Sequence, residues 1–259
     1  MQVVTEAGSS YSSSSKTVSH VLVIIAMEAE AGPLISSLGY LTRVESDVRF
    51  APFKIYSGQH ESDCKVTVVT NGKDKRFSVD NVGTVPAAIA AFSTIHQFSP
   101  DIVINAGTAG GFKAKGACIG DVFLTTSVSN HDRRIPIPGF DAYGRGSYTS
   151  LQSSNIAKAC SCKQGNLTTS NSLDHSLQDD AIMLENDASV KDMEGAAIAW
   201  VCEQAQVPYL GIKCVTDIVD GDRVTQEEFL ENLHKASLAL LDSVPKVIDY
   251  VLRKAIEHI

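Results

Sequence analysis

The segment Asp101-Ile102-Val103-Ile104-Asn105-Ala106-Gly107-Thr108-Ala109-Gly110-Gly111 decides the fold, because it joins a buried strand to a glycine-rich stretch. Residues 101–105 form a short apolar, β-branched run, which is typical of a strand covered on both faces of a sheet. We predict a loop over residues 106–111, where backbone N–H groups can approach a ligand closely. The loop lacks both the G-x-G-x-x-G pattern and the lysine of a P-loop, so a plain tight turn is the alternative interpretation.

Similar apolar runs and helical patterns follow one another along the chain. Strands are predicted at 21–26, 65–70, 121–128, 164–169, 187–192 and 208–215. Helices are predicted at 27–38, 78–98 (with Pro86 marking the true start), 193–206 and 225–256. Residues 131–148, rich in proline and glycine, are predicted to form a long ordered loop. Alternation of strands with helices predicts an α/β fold, with a mainly parallel sheet covered by helices on both faces.

Composition limits the domain organisation and the partners. The chain has 259 residues, of which 44% are hydrophobic, and no composition break after residue 20, so we predict one domain over residues 20–259. Residues 1–19 are rich in serine and are predicted to form a disordered tail. A formal net charge of −8 argues against a nucleic-acid partner. No apolar stretch approaches the roughly 18 residues that span a bilayer.

The remaining composition signals predict a cytosolic protein, and no metal or cofactor is expected. The N-terminal segment has neither the basic start of a signal peptide nor the arginines of a transit peptide, so a cytoplasmic location is expected. The six cysteines are scattered, and we interpret them as reduced thiols. Cys160 and Cys162 lack the C-x-x-C spacing of a redox or zinc pair, and no histidine cluster accompanies them.

Polar residues follow four of the predicted strands. They are Glu30, the 107–111 glycines, the segment 191–195 and the pair Thr216-Asp217. Ligands bind at the carboxyl ends of strands in open α/β sheets, so these residues are candidates for one site. Each also has a simpler interpretation: Glu30 as a solvated carboxylate in a first helical turn, Glu194 as a helix cap, and Asp217 as the end of a strand.

Three carboxylates at neighbouring strand ends suit the hydrolysis of a bond between a sugar and a base. One carboxyl group must hold a proton for the leaving group, while another is ionised and orients water or hydroxyls. The histidines form no Ser-His-Asp arrangement. His131, beside Asp132-Arg133-Arg134, is the histidine best placed for function, and a structural loop residue is its simpler interpretation.

Four ordered motifs carry a family resemblance: Ala26-Met27-Glu28-Ala29-Glu30, the 105–111 segment, Asp192-Met193-Glu194-Gly195-Ala196-Ala197 and Val215-Thr216-Asp217. They resemble the methylthioadenosine nucleosidases, members of the purine nucleoside phosphorylase-like superfamily, from Val21 to the final helix. Residues 131–138 and 82–87 look like the plant branch. The resemblance implies a three-layer α/β/α sandwich with a mixed, mainly parallel and partly closed sheet, assembled as a homodimer.

The resemblance also implies an activity and the residues that perform it. The activity is hydrolysis of 5′-methylthioadenosine to adenine and 5-methylthioribose in methionine salvage, with weak or no action on S-adenosylhomocysteine. Glu30 matches the general base for water, and Asp217 matches the acid that protonates N7 of adenine. The implied substrate-binding residues are Thr108 at the ribose and water pocket, Glu194 at the ribose hydroxyls, Met193 and Leu173 against ribose and purine, Thr216 at the base, and Met27, Lys191 and Asp192.

The sequence also departs from the family pattern and leaves alternatives open. Bacterial relatives have Ser-Gly-Asp where this chain has Thr169-Ser170-Asn171, and arginine where it has Lys213. A phosphorylase of the same superfamily is the first alternative; it needs several cations on a phosphate, for which Arg76 and Lys113 are available. The second is a binding protein that has lost a catalytic carboxylate. Phosphate dependence of the rate separates the first alternative from a hydrolase.

Overall fold

The computed structural model describes residues 17–61 and 63–259, in which strands and helices alternate. The strands are β1 (His20–Ile25), β2 (Thr42–Val44), β3 (Lys54–Gln59), β4 (Lys65–Thr70), β5 (Ile102–Gly111), β6 (Val122–Asn130), β7 (Tyr148–Thr149), β8 (Lys163–Thr169), β9 (Ala188–Asp192) and β10 (Tyr209–Ile218). The helices are α1 (Glu28–Leu38), α2 (Thr84–Phe98), α3 (Asp141–Arg145), α4 (Ser154–Cys160), α5 (Leu177–Glu185), α6 (Gly195–Ala205) and α7 (Thr225–Val251).

The strands form one mixed sheet that closes on itself along part of its width. Their order is β10-β6-β8-β9-β5-β1-β4-β3-β2, and β10 also pairs with β5, so that β10, β6, β8, β9 and β5 form a ring. In the described part, five strand pairings are parallel and five are antiparallel. The α/β fold with a mixed sheet is therefore confirmed. The closed, barrel-like half is not a flat middle layer, so the three-layer sandwich is too simple a description.

The strand β1 shows why the sheet is buried on both faces. Val21, Val23 and Ile25 pack into the core that contains residues of α1, α4 and α7. Leu22 and Ile24 point the other way, into the core with residues of α2 and α6. Alternate side chains of a strand point to opposite faces, so a continuous apolar run is needed where helices cover both. The apolar pattern of β1 thus matches its two-sided burial.

Two features of the strand ends differ from the sequence predictions. The predicted loop at 106–111 is wrong, because β5 continues through Gly111. These glycines serve close packing: a Cβ on Gly111 would lie 2.7 Å from the Ala117 Cβ, and one on Gly110 would lie 2.7 Å from Asp217 Oδ2. Asp217 likewise does not follow a strand but belongs to β10, which has a β-bulge between Val215 and Asp217. Bulges redirect side chains, and this one lies at the edge of the candidate site.

Other helix and strand boundaries differ from the predicted ones for local reasons. The helix predicted from residue 78 begins at Thr84, which places Pro86 in its first turn, where the missing N–H of proline costs no hydrogen bond. The predicted loop at 131–148 contains the short helix α3. Four further elements had no sequence prediction, namely β2, β3, α4 and α5.

The start of the described chain is packed against the fold. Thr17 forms a β-bridge with Ala255, Val18 is fully buried, and the Ser19 hydroxyl donates to Asp101 Oδ2 at 2.9 Å. Residues 1–16 of the predicted tail lie outside the described residues, whereas residues 17–19 contact the body. Across 17–61 and 63–259, no helix is both long and apolar enough to cross a membrane.

The two-sided burial of β1 gives a stability prediction. Leu22 has no exposed surface, and we expect Leu22→Ala to reduce the free energy of unfolding by about 2–5 kcal/mol, because it leaves a cavity under α2 and α6. The control Leu184→Ala removes the same atoms from a side chain that is 79% exposed on α5, with an expected change within about 0.5 kcal/mol. Urea unfolding measures both. Equal losses for the two variants would contradict the assignment of β1 to the core.

Candidate active site

A cavity of about 280 Å³ lies at the place where β5 changes its neighbour on one edge. This edge pairs with β1 up to Asn105 and with β9 from Gly110 onward. Residues 106–109 have no strand partner on this edge within the described part of the chain, and the cavity occupies this gap. Its lining is Ala26, Met27, Glu30, Val82, Asn105, Ala106, Gly107, Thr108, Ala109, Gly110, Leu173, Lys191, Asp192, Met193, Glu194, Lys213, Thr216, Asp217 and Phe229.

All ten predicted site residues line this cavity. They are Met27, Glu30, Thr108, Leu173, Lys191, Asp192, Met193, Glu194, Thr216 and Asp217. They come from the first turn of α1, the strands β5, β9 and β10, and the segments after β8 and β9. The structure therefore brings them together at one edge of the sheet, as the rule for strand ends predicts.

Glu30 lies in the first turn of α1, and its side chain reaches the unpaired edge of β5. Its Oε1 accepts hydrogen bonds from the Thr108 backbone N–H at 2.7 Å and from the Thr108 hydroxyl at 2.6 Å. Only 3% of Glu30 is exposed, so the solvated interpretation is wrong. Burial raises the pKa of Glu30, while the two Thr108 hydrogen bonds and the charge of Lys213 act in the opposite direction.

Lys213 and Asp192 form a buried ion pair beside Glu30. Lys213 Nζ lies 2.8 Å from Asp192 Oδ2, and each side chain is 1% exposed. Asp192 also accepts hydrogen bonds from the Thr169 hydroxyl at 2.6 Å and from the Gly195 N–H at 2.9 Å. Asp192 is thus held on three sides by β8, β10 and the start of α6. Its contacts identify it as a residue that fixes the cavity wall and Lys213.

Glu194 follows β9 and lies against the start of α2. Its Oε1 accepts a hydrogen bond from the Gly83 N–H at 2.8 Å. Burial and, after it, the negative charge of Asp192 raise the pKa of Glu194 to about 7, and Lys213 and the Gly83 N–H oppose this shift. A carboxyl group with a pKa near 7 can exist in either state at neutral pH, so small changes in its surroundings decide its charge.

Asp217 projects into the cavity from the β-bulge of β10. It is 3% exposed, and its Oδ1 accepts a hydrogen bond from the Thr216 hydroxyl at 2.8 Å. Burial raises the pKa of Asp217 and the charge of Glu228 adds to this, whereas the Thr216 hydrogen bond and the charge of Lys191 lower it. Burial is the largest of these effects, which favours the protonated acid.

Lys191 has a structural role in the cavity wall. Its Nζ donates to the Leu173 carbonyl at 2.5 Å and to the Asp174 carbonyl at 3.3 Å. These bonds hold the segment that carries Leu173 over the cavity. Burial lowers the pKa of Lys191, and the nearby carboxylates, with Asp217 first, oppose this.

Four of the larger side chains in the cavity wall were not predicted as site residues. Asn105 and Lys213 are on β5 and β10, Val82 precedes α2, and Phe229 is on α7. The sequence could have indicated one of them, Lys213, because a lysine is unusual inside the apolar run of a buried strand such as β10. Val82 and Phe229 reach the cavity only through the tertiary placement of a loop and a helix, which local patterns do not report.

Three other candidates from the sequence lie outside the cavity. His131 is 1% exposed, its Nδ1 lies 3.0 Å from the Thr168 hydroxyl, and burial lowers its pKa to about 4, so it is a neutral structural residue. Arg76 makes an ion pair with Asp74, and Lys113 lies in a 3₁₀ turn after β5. Among the described residues, no group of three or more His, Cys, Asp or Glu side chains is arranged to hold a metal ion.

Comparison with known proteins shows which proteins this chain is similar to. The model of the phosphorylase superfamily matches residues 20–249. The 5′-methylthioadenosine nucleosidase of Arabidopsis thaliana is 46% identical over 237 residues, which cover 91% of this chain and 88% of that protein. The 5′-methylthioadenosine/S-adenosylhomocysteine nucleosidase of the same plant is 44% identical over 245 residues, covering 94% and 96%.

A solved structure shows the same fold over almost the same length. The apo structure of Arabidopsis thaliana 5′-methylthioadenosine nucleosidase superposes with a TM-score of 0.91 at 45% identity and covers 94% of this chain and 100% of that one. Similarity at this level over nearly the whole chain confirms the resemblance drawn from the four motifs. The chain therefore belongs to the methylthioadenosine nucleosidase family within the phosphorylase superfamily.

Proposed function

We propose that this chain hydrolyses the N-glycosidic bond of 5′-methylthioadenosine and releases adenine and 5-methylthioribose, a step of methionine salvage. The observation that carries the proposal is that three buried carboxyl groups with raised pKa values, Glu30, Glu194 and Asp217, line one cavity. The names of its Arabidopsis thaliana relatives support the substrate.

Asp217 is the general acid of this proposal. Adenine is a poor leaving group as an anion, and protonation at N7 allows it to leave as a neutral base. The acid must therefore hold a proton near neutral pH, and burial raises the pKa of Asp217 in that direction. The Thr216 hydroxyl fixes Oδ1, and Oδ2 lies close to Gly110, so the carboxyl group has a defined orientation toward the base.

Glu30 is the general base for the attacking water. Both hydrogen bonds from Thr108 go to its Oε1, and they hold the carboxylate in one orientation on the open edge of β5. The charge of Lys213 favours the ionised state that can accept a proton. Different neighbours thus favour Glu30 as the base and Asp217 as the acid. Two carboxyl groups in one site commonly take these two roles in this way.

Glu194 is proposed to bind the ribose hydroxyls and to stabilise the ribosyl cation. Positive charge develops on the ribosyl carbon as the glycosidic bond lengthens, and a buried carboxylate stabilises that charge more strongly than one in water. Its Oε1 is fixed by the Gly83 N–H. Met193, beside it in the sequence and in the cavity wall, supplies apolar contact for the sugar and base.

Hydrolysis is favoured over phosphorolysis by the charges that line the cavity. Its cationic side chains are Lys191 and Lys213 within the described residues. Lys213 is paired with Asp192, and Lys191 donates to two backbone carbonyls. A phosphate would therefore meet carboxylates rather than converging free cations, and phosphate sites usually require the latter.

The same charges favour the smaller of the two related substrates. A methylthio group is apolar and can be buried against side chains such as Val82, Leu173 and Phe229 of the cavity wall. The homocysteine group of S-adenosylhomocysteine adds an ammonium and a carboxylate, and the cavity's two lysines are already engaged. We therefore propose weak or no action on S-adenosylhomocysteine.

A homodimer is also proposed, on the evidence of an exposed apolar face. Val85, Ile89 and Phe92 of α2 and Trp200 of α6 are between 43% and 69% exposed. The two helices pack side by side, so these residues are on neighbouring elements. Large exposed apolar patches mark protein interaction surfaces. A second copy of the chain is the proposed occupant of this face.

The acid role of Asp217 predicts a large loss of turnover in Asp217→Asn, because an amide cannot deliver the proton to N7. We expect kcat for 5′-methylthioadenosine to fall by about 10²–10⁴-fold, with adenine release as the measurement and with unchanged circular dichroism. The control Asp242→Asn removes a carboxylate paired with Lys246 on α7, outside the cavity, and keeps full turnover. Retention of about a tenth of wild-type kcat by Asp217→Asn rules out its role as the acid.

The nucleophile and the substrate range are tested in one assay. In phosphate-free buffer, we expect the wild-type protein to release adenine and free methylthioribose, and added phosphate to leave the rate unchanged. S-adenosylhomocysteine is expected to react slowly or not at all under the same conditions. A requirement for phosphate would identify a phosphorylase, and no release under either condition would identify a binding protein.

The raised pKa of Glu194 predicts a pH-dependent stability. The folded state holds this proton up to about pH 7, so its stabilising contribution is complete below about pH 4.5 and is lost as the pH rises through about 7. Relative to Glu194→Gln, which cannot ionise, the wild-type protein should lose roughly 3 kcal/mol of unfolding free energy across this range. Urea unfolding of both proteins at about pH 5 and about pH 8 measures the difference.

The control for this comparison is Glu227→Gln, which removes an exposed carboxyl group from the first turn of α7. As the pH rises, we expect the unfolding free energy of the wild-type protein to fall relative to that of Glu194→Gln. The same comparison with Glu227→Gln should change much less. If the unfolding free energy of the wild-type protein stays constant or rises relative to that of Glu194→Gln as the pH rises, the raised pKa of Glu194 is contradicted.

A further inference from the structure

Asn171 connects two segments that are far apart in sequence. Its side-chain Oδ1 accepts hydrogen bonds from the Thr84 N–H at 3.0 Å and the Thr84 hydroxyl at 2.8 Å. Its backbone N–H and its side-chain Nδ2 donate to Asp132 Oδ2 at 2.8 Å and 3.2 Å. We refer to Thr84, Asn171 and Asp132 as the Asn171 bridge. The bridge ties the start of α2 to the segment after β8 and to the segment after β6.

Thr84 and Asn171 of the bridge adjoin residues of the active-site cavity. Next to Thr84, the Gly83 N–H donates to Glu194 Oε1, and Val82 lines the cavity. Two residues after Asn171, Leu173 lines the same cavity, and its carbonyl accepts the hydrogen bond of Lys191. The bridge therefore joins the cavity wall that carries Val82 to the wall that carries Leu173.

The backbone of Gly83 shows how close the two segments come. Gly83 has a backbone φ of +100°, which residues with a side chain rarely adopt. A Cβ on Gly83 would lie 3.1 Å from Asn171 Oδ1. A glycine allows both the conformation and the approach. The contact between Asn171 and the start of α2 thus depends on a residue that also holds Glu194.

An amide is the side chain that fits this place. Its oxygen accepts from Thr84, and its nitrogen donates to Asp132, so both partners are satisfied at once. A carboxylate could accept from Thr84 but could not donate to Asp132, and the two like charges would repel each other at this distance. Asn171 is also one of the residues at which this chain departs from the bacterial pattern.

We propose that Asn171 is a positioning residue that fixes the spacing of the Val82 and Leu173 walls and so sets the affinity for the nucleoside. The proposal rests on the proposed function, because the affinity concerned is that for 5′-methylthioadenosine. Its effect falls on nucleoside binding more than on the proton transfers of Glu30 and Asp217. Glu30 and Asp217 are held by Thr108 and Thr216, which the bridge does not contact.

A charge swap tests the bridge. Asn171→Asp places two carboxyl groups against each other, and we expect KM for 5′-methylthioadenosine to rise about fivefold, equivalent to about 1 kcal/mol, with a smaller change in kcat. The double variant Asn171→Asp with Asp132→Asn restores one amide and one carboxylate with their places exchanged. It is expected to return KM to near the wild-type value. A rise in KM without an equal fall in kcat separates the positioning role from a general loss of structure, because that loss lowers the active fraction and hence kcat.

Hydrogen exchange gives a readout that needs no activity. In Asn171→Ala, the amides of Gly83 and Thr84 are expected to exchange faster than in the wild-type protein, because the Thr84 N–H loses its acceptor. The control Asn166→Ala removes an amide that accepts from the hydroxyls of Thr126 and Ser127, outside the cavity, and should change neither this exchange nor KM.

The outcomes separate the two proposals. If the wild-type protein releases no adenine while Asn171→Ala still speeds exchange at Gly83 and Thr84, the proposed function fails and the bridge stands as a structural link. If the wild-type protein is active but KM is unchanged in Asn171→Asp, the positioning role is overturned. Failure of the double variant to recover KM likewise overturns it.

Discussion

The buried ion pair between Lys213 and Asp192 is the constraint on which the rest of the cavity depends. An unpaired charge in such a place costs several kcal/mol, and the pair is tolerable because Asp192 has further donors in Thr169 and Gly195. Lys213 also supplies the positive charge that opposes the raised pKa of Glu30 and of Glu194. The charge of Lys213 thus allows several carboxyl groups to share a small, buried volume, and protonation removes part of the remaining negative charge.

The different proton affinities of the carboxyl groups follow from the groups that each one contacts. Glu30 receives two hydrogen bonds from Thr108 and faces Lys213, and both favour its anion. Burial raises the pKa of Asp217 and favours its acid form, and the single Thr216 hydrogen bond and the charge of Lys191 oppose it. Burial and, after it, the negative charge of Asp192 raise the pKa of Glu194 to about 7. Three chemically similar groups acquire different proton affinities because burial is common to all and the local partners differ.

The sequence predicted the elements and the grouping of the cavity carboxyl groups better than the shape that joins them. Glu30, Glu194 and Asp217 could be grouped because carboxyl ends of neighbouring strands converge at one edge of a sheet. The glycines of β5 were misread as a loop, since local sequence does not show whether glycine serves a turn or close packing against Val215 and Ala117. The β-bulge before Asp217, and the approach of Phe229 from α7, depend on pairings and packing distant in sequence.

The closure of the sheet explains why the site is where it is. Because β5 pairs first with β1 and later with β9, its edge is open between Asn105 and Gly110, and the Thr108 N–H is free to orient Glu30 there. Such a gap is a property of the fold and would serve a phosphorylase as well as a hydrolase, since a fold does not by itself decide a reaction. The choice lies with the charges that line the gap. In this chain both cavity lysines are engaged by protein oxygens, which leaves water as the nucleophile that the site can best accommodate.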